Sequence, residues 1–113
     1  MSKYNAHKAQ CRQGHTHDSA KEAHRCDELH TLARSGAISE LCIQRKFVLI
    51  PAQKYADMKS ERECSYIADF MYIKDGVLII EDVKGYKTPE YVVKRKLLKQ
   101  RYCSDGRVVF IET

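Results

Sequence analysis

Two carboxylates and a lysine stand in a pattern that could bind a divalent metal. The apolar runs SYIADFMYI and VLIIEDVK, over residues 65–73 and 77–84, are rich in β-forming residues, and an Asp-Gly pair lies in the short segment between them. Asp-Gly between two such runs predicts a β-hairpin, whose register sets Asp69 directly opposite Asp82. Lys84 follows two residues later on the same face of the predicted hairpin.

The chemistry of this trio is that of phosphodiester hydrolysis. Directly opposed residues of a sheet have Cβ atoms about 4.5 to 5.5 Å apart, so Asp69 and Asp82 repel each other unless a cation compensates. Mg²⁺ is usually held by one or two carboxylates and completed by water and phosphate oxygens. Lys84 could then orient or activate a water, or stabilise charge on the phosphate. The pattern therefore predicts metal-assisted hydrolysis of a phosphodiester.

An ordinary cross-strand ion pair between Asp69 and Lys84, with Asp82 facing solvent, is the alternative interpretation. Side-chain alternation places Ile67 and Met71 on the same face as Asp69. Charges on such an apolar face are costly without a partner. The metal site is therefore the interpretation that we favour.

A third carboxylate is expected from a helix predicted over residues 18–35. Ser19 and Glu22 fit the S-x-x-E capping box, and the helix should end at Gly36. About 100° per residue places Glu22 in the middle of the apolar stripe that contains Cys26. Glu22 could therefore reach a metal site, directly or through another ligand, or bond back to Ser19 as a capping-box glutamate. Both interpretations remain open.

The remaining apolar runs complete a mixed α/β pattern. A strand is predicted over residues 41–50, and a loop or irregular hairpin over 53–62. Thr88, followed by proline and glutamate, predicts the start of a helix that runs to about Tyr102. A strand over 107–112 follows it. Because both faces of the hairpin strands are largely apolar, we expect a single α/β domain with a central mixed sheet flanked by helices.

Composition limits the partners and the location. The 113 residues carry 20 Lys plus Arg against 15 Asp plus Glu, a net charge of +5, which favours a polyanionic partner such as nucleic acid. No apolar run is long enough to span a membrane, and the start lacks the apolar stretch of a signal peptide. We therefore expect a cytoplasmic protein without a membrane partner. Residues 1–17 predict an irregular basic arm that precedes a domain over 18–113.

Cysteines and histidines cluster in the first third of the chain. Six potential zinc ligands lie close together in sequence: Cys11, His15, His17, His24, Cys26 and His30. They contain no paired C-x₂₋₄-C or H-x₃₋₅-H arrangement with a matching second pair. Because Cys26 lies on the apolar stripe of the predicted helix, a buried small hydrophobe is the favoured interpretation of this thiol, ahead of a zinc ligand.

Basic side chains of the helix after Thr88 are candidates for contact with a phosphate backbone. The residues predicted to bind nucleic acid are Gln44, Lys46, Lys87, Lys94, Lys96, Lys99 and Arg101. Lys94 lies on the same side of the helix as Tyr91 and Leu98, and is the best placed to reach inward. For each residue the alternative is a solvated basic face on a helix that packs against the core.

Taken together, these residues resemble the PD-(D/E)XK nuclease superfamily. The match consists of Glu22 on an early helix, Asp69 on a strand, and the sequence Asp-Val-Lys at 82–84 on the next strand. More narrowly, HDSAKEA, IQRKF, YIADF and EDVKGYKT are similar to segments of a family of small phage and prophage proteins labelled as a domain of unknown function. The resemblance covers about residues 14–102.

The resemblance implies a restriction-endonuclease-like core and assigns roles to its residues. Asp69, Asp82 and Lys84 would be catalytic, with Glu22 as an additional acid, and the three carboxylates would ligate the metal. Ala68 stands where the superfamily has its proline, and Asp82 stands where glutamate is common. The first change leaves the carboxylate of the next residue in place, and the second shortens the reach by one methylene.

The expected function is therefore that of a small, phage-encoded endodeoxyribonuclease that depends on Mg²⁺, with Mn²⁺ able to substitute. Branched DNA such as a Holliday junction is favoured, because a chain of this size has no separate domain for reading base sequence. A junction nuclease would act most simply as a symmetric homodimer. The alternative is a catalytically silent nucleic-acid-binding or regulatory phage protein with the same fold, whose DNA binding would not respond to Mg²⁺.

Overall fold

Two helices cover opposite faces of a four-stranded mixed sheet. The computed structural model describes residues 8–57, 59–84 and 86–113. The helices are α1 (Ala20–Ser35) and α2 (Pro89–Tyr102). The strands are β1 (Ala9–Gln10), β2 (Thr16–His17), β3 (Ser39–Ile50), β4 (Gln53–Lys54), β5 (Ser60–Glu61), β6 (Cys64–Lys74), β7 (Val77–Asp82) and β8 (Val108–Glu112). The mixed α/β fold predicted from the sequence is confirmed.

The central sheet has the order β3-β6-β7-β8. Strands β3, β6 and β7 pair antiparallel, and β8 lies parallel to β7. The crossover through α2 makes this parallel pair possible, since parallel neighbours need a long connection. Two-stranded pairs β1–β2 and β4–β5 lie outside the central sheet, and the second is the irregular hairpin expected over 53–62.

The β6–β7 hairpin has the register that its Asp-Gly turn predicts. Lys74 pairs with Val77, and the pairing continues in step to Phe70 and Glu81. The two turn residues have φ angles of 53° and 76°. Positive φ at both positions defines a type I′ turn, whose twist matches that of the flanking strands. β7 ends at Asp82, two residues earlier than predicted.

α1 has the caps that the sequence predicts. Ser19 Oγ accepts a hydrogen bond from the backbone N–H of Glu22 at 3.1 Å. Gly36 ends the helix with a φ of 84°, a left-handed conformation that glycine adopts without steric cost. The buried face of the helix consists of Glu22, Ala23, Cys26 and Leu29. It packs against the side of the sheet that carries Phe70 and Tyr72.

α2 covers the other side of the sheet. Thr88 Oγ1 caps it by accepting a hydrogen bond from the backbone N–H of Tyr91 at 3.0 Å, and Pro89 occupies the first turn. Tyr91 and Leu98 are buried against a second core, which also contains Leu49, Tyr66, Ala68 and Ile80. Neither helix of the described residues is long and apolar enough to cross a membrane.

Even-numbered residues of β6 face α2 before Asp69 and face α1 after it. On one side of this residue, Tyr66 and Ala68 pack in the core under α2. On the other side, Phe70 and Tyr72 pack in the core under α1. Asp69 therefore lies between the part of β6 that packs under α2 and the part that packs under α1. Its side chain belongs to neither hydrophobic core.

Strand β3, which pairs with β6, is irregular beside Asp69. Gln44 lies opposite Asp69, between two regular pairs of β3 and β6, and has a φ of 55°. The continuous apolar face predicted through Ile67 and Met71 is interrupted as a result. Met71 packs in the α2 core, whereas Ile67 is 58% exposed.

Residues 8–17 differ from the irregular arm predicted for residues 1–17. Ala9 pairs with His17, so that β1 and β2 form a short antiparallel hairpin. Cys11 is buried in the α1 core, and His17 is buried and hydrogen-bonded to Glu22 of α1. These contacts with α1 order a segment that has little β propensity of its own. Residues 1–7 of the predicted arm lie outside the described residues.

Candidate active site

Asp69 and Asp82 interlock where the β6–β7 ladder ends. The backbone N–H of Asp69 donates to Asp82 Oδ1 at 3.1 Å, and the backbone N–H of Val83 donates to Asp69 Oδ2 at 2.8 Å. Each carboxylate thus accepts a bond from the backbone of the opposite segment, directly after the pair formed by Phe70 and Glu81. The register predicted from the turn therefore does bring the two acids together.

Asp82 is completely buried and has two polar partners of its own. The Tyr66 hydroxyl donates a short hydrogen bond to Asp82 Oδ2, and Lys84 Nζ lies 3.6 Å from the same oxygen. Burial raises the pKa of Asp82 to about 6, although Lys84 acts in the opposite direction. The alternative in which Asp82 faces solvent is therefore wrong, and the ion pair of Lys84 is with Asp82.

Lys84 is held in place from two sides. Its Nζ lies 4.5 Å from the centre of the Tyr91 ring, a cation–π contact between the end of β7 and α2. The hydroxyl of Tyr91 donates to Glu112 at 2.5 Å, which fixes the ring. The backbone N–H of Lys84 donates to the carbonyl of Thr113 at 3.1 Å. The ammonium group is thus positioned by side chain and backbone together.

An open cleft with a volume of about 360 Å³ lies between the end of β7 and α2. Its lining includes Asp82, Lys84, Tyr91 and Lys94. Asp82 therefore lies at the wall of a cleft on the α2 side of the sheet.

Glu22 approaches the pair from α1. It is 4% exposed, its carboxylate lies 2.7 Å from His17 Nδ1, and it interacts electrostatically with Asp69. The acid therefore points to His17 and Asp69, and its side chain does not complete the capping box at Ser19. Burial, followed by the charge of Asp69, raises the pKa of Glu22 to about 8, and burial also raises the pKa of Asp69.

Glu22, Asp69 and Asp82 form a connected row of three acids. Each of the three carboxyl groups has a raised pKa, so it holds a proton more readily than an exposed carboxyl group does. The raised pKa of each group has the same cause, because burial leaves the negative charges under-compensated. Such a set of oxygen ligands suits a hard divalent cation, Mg²⁺ or Mn²⁺, whose charge would compensate the carboxylates.

Glu81, the residue before Asp82, lies outside this row. Its carboxylate accepts hydrogen bonds from Arg25 Nε at 2.6 Å and from the Tyr72 hydroxyl at 2.6 Å, and Thr113 Oγ1 donates to it at 3.0 Å. Burial opposes the charge, but the bonds from Arg25 and Tyr72 outweigh it and lower the pKa of Glu81. This acid is an anchor between α1 and the sheet.

Two of the residues predicted to bind nucleic acid lie at the site. Lys94, which was predicted to reach inward, lines the cleft and forms an ion pair with Glu90 at 3.1 Å. Gln44 is exposed and lies opposite Asp69 on the adjacent strand.

Three other candidates already have partners within the protein. Lys46 Nζ lies 2.5 Å from Glu63, and Lys87 Nζ lies 3.6 Å from Glu112. Arg101 Nη1 donates to the carbonyl of Leu49 at 3.1 Å. A contact of any of these side chains with a phosphate would therefore compete with a partner that it already has.

The last two candidates are not brought to the cleft. Lys96 and Lys99 are exposed. Lys96 is five residues after Tyr91, which is about 140° around the helix, so it lies on the outer face of α2. For Lys96, the alternative of a solvated basic face describes the position better.

Some site residues were missed in the sequence. Tyr66 and Tyr91 hold Asp82 and Lys84, but both have the pattern of ordinary core aromatics. His17 contacts Glu22 from the β1–β2 hairpin, which no sequence periodicity predicts. The signal for Tyr91 was its place on the same side of the helix as Lys94.

Comparison with known proteins gives a family but no activity. The family model described as "Protein of unknown function (DUF1064)" matches residues 1–111. No curated protein and no solved structure is significantly similar to the chain. The function must therefore be argued from the site.

Proposed function

The chain belongs to the DUF1064 family of proteins of unknown function, and we propose that it is a Mg²⁺-dependent endodeoxyribonuclease of the PD-(D/E)XK type. The observation that carries the proposal is the row of Glu22, Asp69 and Asp82 in contact with Lys84 beside an open cleft. A mixed sheet with a helix on each face agrees with the restriction-endonuclease-like core that the sequence resemblance implies.

The carboxylates provide the metal ligands in this proposal. Asp69 and Asp82 would hold the ion, because their oxygens are side by side and one backbone N–H already stabilises each of them. Glu22 would support the ion from the α1 side, directly or through water. When bound, Mg²⁺ would polarise the phosphodiester and lower the pKa of a water. Mn²⁺ should replace it, since it accepts the same ligands.

Lys84 would act on the substrate. Its ammonium group has three donors, and contact with one oxygen of Asp82 leaves donors for a phosphate oxygen or the attacking water. Tyr91 keeps the group at the cleft before the substrate arrives. A cation that is positioned in advance stabilises developing negative charge without reorganisation during the reaction.

The shape and charge around the cleft support a nucleic-acid substrate. The cleft is open, and Lys84 and Lys94 line it, so a phosphate of an extended polyanion can enter from the α2 side. The net charge of +5 supports a nucleic-acid partner. We propose DNA, with branched DNA preferred over linear duplex, and two copies of the chain acting on the two sides of a junction.

Cleavage assays test this function. Purified protein is incubated with labelled four-way junction, flap and linear duplex DNA, in Mg²⁺, in Mn²⁺ and in EDTA. We expect incision in either metal, none in EDTA, and the fastest incision on a branched substrate. Asp82→Asn should abolish cutting because it removes a metal ligand while keeping the shape of the side chain.

Asp105→Asn is the matched control, since Asp105 is an exposed carboxylate in the loop between α2 and β8. It should cut like the wild type. Metal-independent DNA binding by well-folded protein, with no incision on any substrate, would contradict the nuclease and support the catalytically silent binding protein.

A further inference from the structure

Four potential metal ligands meet on the α1 side of the sheet, away from the cleft. Cys11, His15, His17 and Cys26 each offer one ligand atom, and these atoms all lie within 4.8 Å of one another. Two thiols and two imidazoles form the ligand set of many structural zinc sites. The second pair that the sequence lacks is supplied by the fold, because the β1–β2 hairpin is placed against α1.

The backbone brings the first two ligands together. The turn between β1 and β2 is closed by the N–H of Cys11, which donates to the carbonyl of His15 at 2.9 Å, and by the N–H of Gly14, which donates to the carbonyl of Cys11 at 3.0 Å. His17 stands at the end of β2, and Cys26 lies on the buried face of α1. The ligands therefore come from a closed turn, a strand and a helix.

The spacing of the atoms agrees with tetrahedral zinc. Zn–S bonds of about 2.3 Å and Zn–N bonds of about 2.0 to 2.1 Å put sulfur and nitrogen about 3.6 Å apart at the tetrahedral angle. His15 Nδ1 lies 3.6 Å from Cys11 Sγ and 3.7 Å from Cys26 Sγ. The two distances from His15 thus match those between ligands of one ion, and all four ligand atoms lie within 4.8 Å of one another.

His17 provides an independent indication of a ligand. It is 1% exposed, and its Nδ1 lies 2.7 Å from the carboxylate of Glu22, to which it can donate its proton. Its Nε2 is buried without a hydrogen-bond partner among the described residues. An imidazole that donates from one nitrogen to a carboxylate and keeps its other nitrogen unpartnered, in a cluster with two thiols, is arranged as zinc-bound histidines are.

His30 does not belong to the ligand set. Its Nδ1 lies 2.8 Å from the carbonyl of Cys26, so this nitrogen carries its proton and donates to the helix backbone. The same group lies 3.5 Å from Cys26 Sγ, where it can donate to a thiolate. His30 would therefore support the sulfur ligand and leave the ion to the other four residues.

We propose that Cys11, His15, His17 and Cys26 bind one structural Zn²⁺ ion. The site is closed, because four protein ligands complete the tetrahedron and leave no position for substrate. The ion would clamp the β1–β2 hairpin onto α1 and fix the orientation of His17 towards Glu22. Cys26 is buried as the sequence predicts, and in this proposal its thiol would also bind the ion. The proposal does not depend on the nuclease activity.

Metal content and cobalt spectroscopy test the site. Full-length protein, expressed with added zinc and purified without chelators, should contain one zinc ion per chain. Replacement by Co²⁺ should give the intense visible bands of a tetrahedral ion together with a thiolate-to-cobalt charge-transfer band. Co²⁺ bound only to the carboxylates would give neither the thiolate band nor the tetrahedral intensity. Asp82→Asn should keep both signals.

Matched variants separate ligands from bystanders. Cys11→Ser and His15→Asn should lose the zinc and the thiolate–cobalt spectrum, whereas Cys103→Ser and His24→Asn should keep both. His15 and His24 are both exposed, so their replacement leaves the core intact, and circular dichroism checks that each variant is folded. A strong chelator should lower the melting temperature of the wild type but leave that of His15→Asn unchanged. Folded wild-type protein that contains no zinc and gives no tetrahedral cobalt spectrum would overturn the proposal.

Discussion

Lys84 is the residue whose position says most about the chemistry of the site. Its Nζ is 3.6 Å from a buried carboxylate oxygen of Asp82 and rests on the ring of Tyr91. A lysine that served only to neutralise Asp82 would need no aromatic support from another element. The two restraints keep its charge at the open cleft, where a substrate phosphate would be.

Replacement of Lys84 by methionine should reduce cleavage by about 10²- to 10³-fold, the usual effect of removing one positioned donor in a transition state. Metal binding should persist, since the carboxylate ligands remain. Rates of incision under single-turnover conditions measure the effect, with Lys96→Met on the outer face of α2 as the control. Cleavage by Lys84→Met at the wild-type rate would contradict the role of this side chain.

At the scale of secondary-structure elements, α1 is anchored to the sheet by a partly buried ion pair. Arg25 Nε donates to Glu81 at 2.6 Å, and the Tyr72 hydroxyl donates to the same carboxylate. Because the folded state lowers the pKa of Glu81, its charge stabilises the fold. The contribution is complete above the unfolded pKa of about 4.3 and is lost as the pH falls through the lower folded pKa.

Glu81→Gln should therefore lower the free energy of unfolding at pH 7 by about 2 to 3 kcal/mol, because it leaves Arg25 without its charged partner. Denaturant titrations of wild type and variant at several pH values measure the difference. It should be constant above pH about 5 and shrink below the ordinary glutamate pKa of about 4.3. If the difference in free energy of unfolding stays constant into the acid range, the charge of Glu81 does not contribute to stability.

The orientation of α2 separates its lysines. Lys94 lines the cleft, whereas Lys96 lies on the outer face. Lys94→Ala should weaken DNA binding and reduce the slope of log affinity against log salt by about 1, the effect of one lost phosphate contact. Lys96→Ala removes the same charge and should leave the slope unchanged. Equal effects of the two variants in a binding titration at several salt concentrations would contradict the proposed path of the DNA.

The elements that sequence predicts well are those with local signals. The Asp-Gly turn fixed the hairpin register, and capping residues marked the starts of α1 and α2. The β1–β2 hairpin was missed because its strands are two residues long and are ordered by contacts with α1. The exchange of faces along β6 at Asp69 was also missed, because it depends on which helix covers each part of the strand.

In the whole molecule, the candidate site lies at the boundary between two cores. The α1 core supplies Glu22 and its partner His17, and the α2 core supplies Tyr66 and Tyr91. Asp69 and Asp82 join them at the end of one hairpin. The pairing of these two acids was predictable from register alone. The contact of Asp69 with Glu22 and the support of Lys84 by Tyr91 were not, because residues distant in sequence meet there only through packing.

Binding of Mn²⁺ tests most directly whether the three acids form a metal site. Titration of the metal into protein, followed by electron paramagnetic resonance of free Mn²⁺, gives the affinity without any substrate. Asp82→Asn should weaken binding by at least about tenfold, since even the outer partners of metal ligands are worth that much. Asp105→Asn should bind like the wild type. Equal Mn²⁺ affinity of Asp82→Asn and wild type would contradict the account.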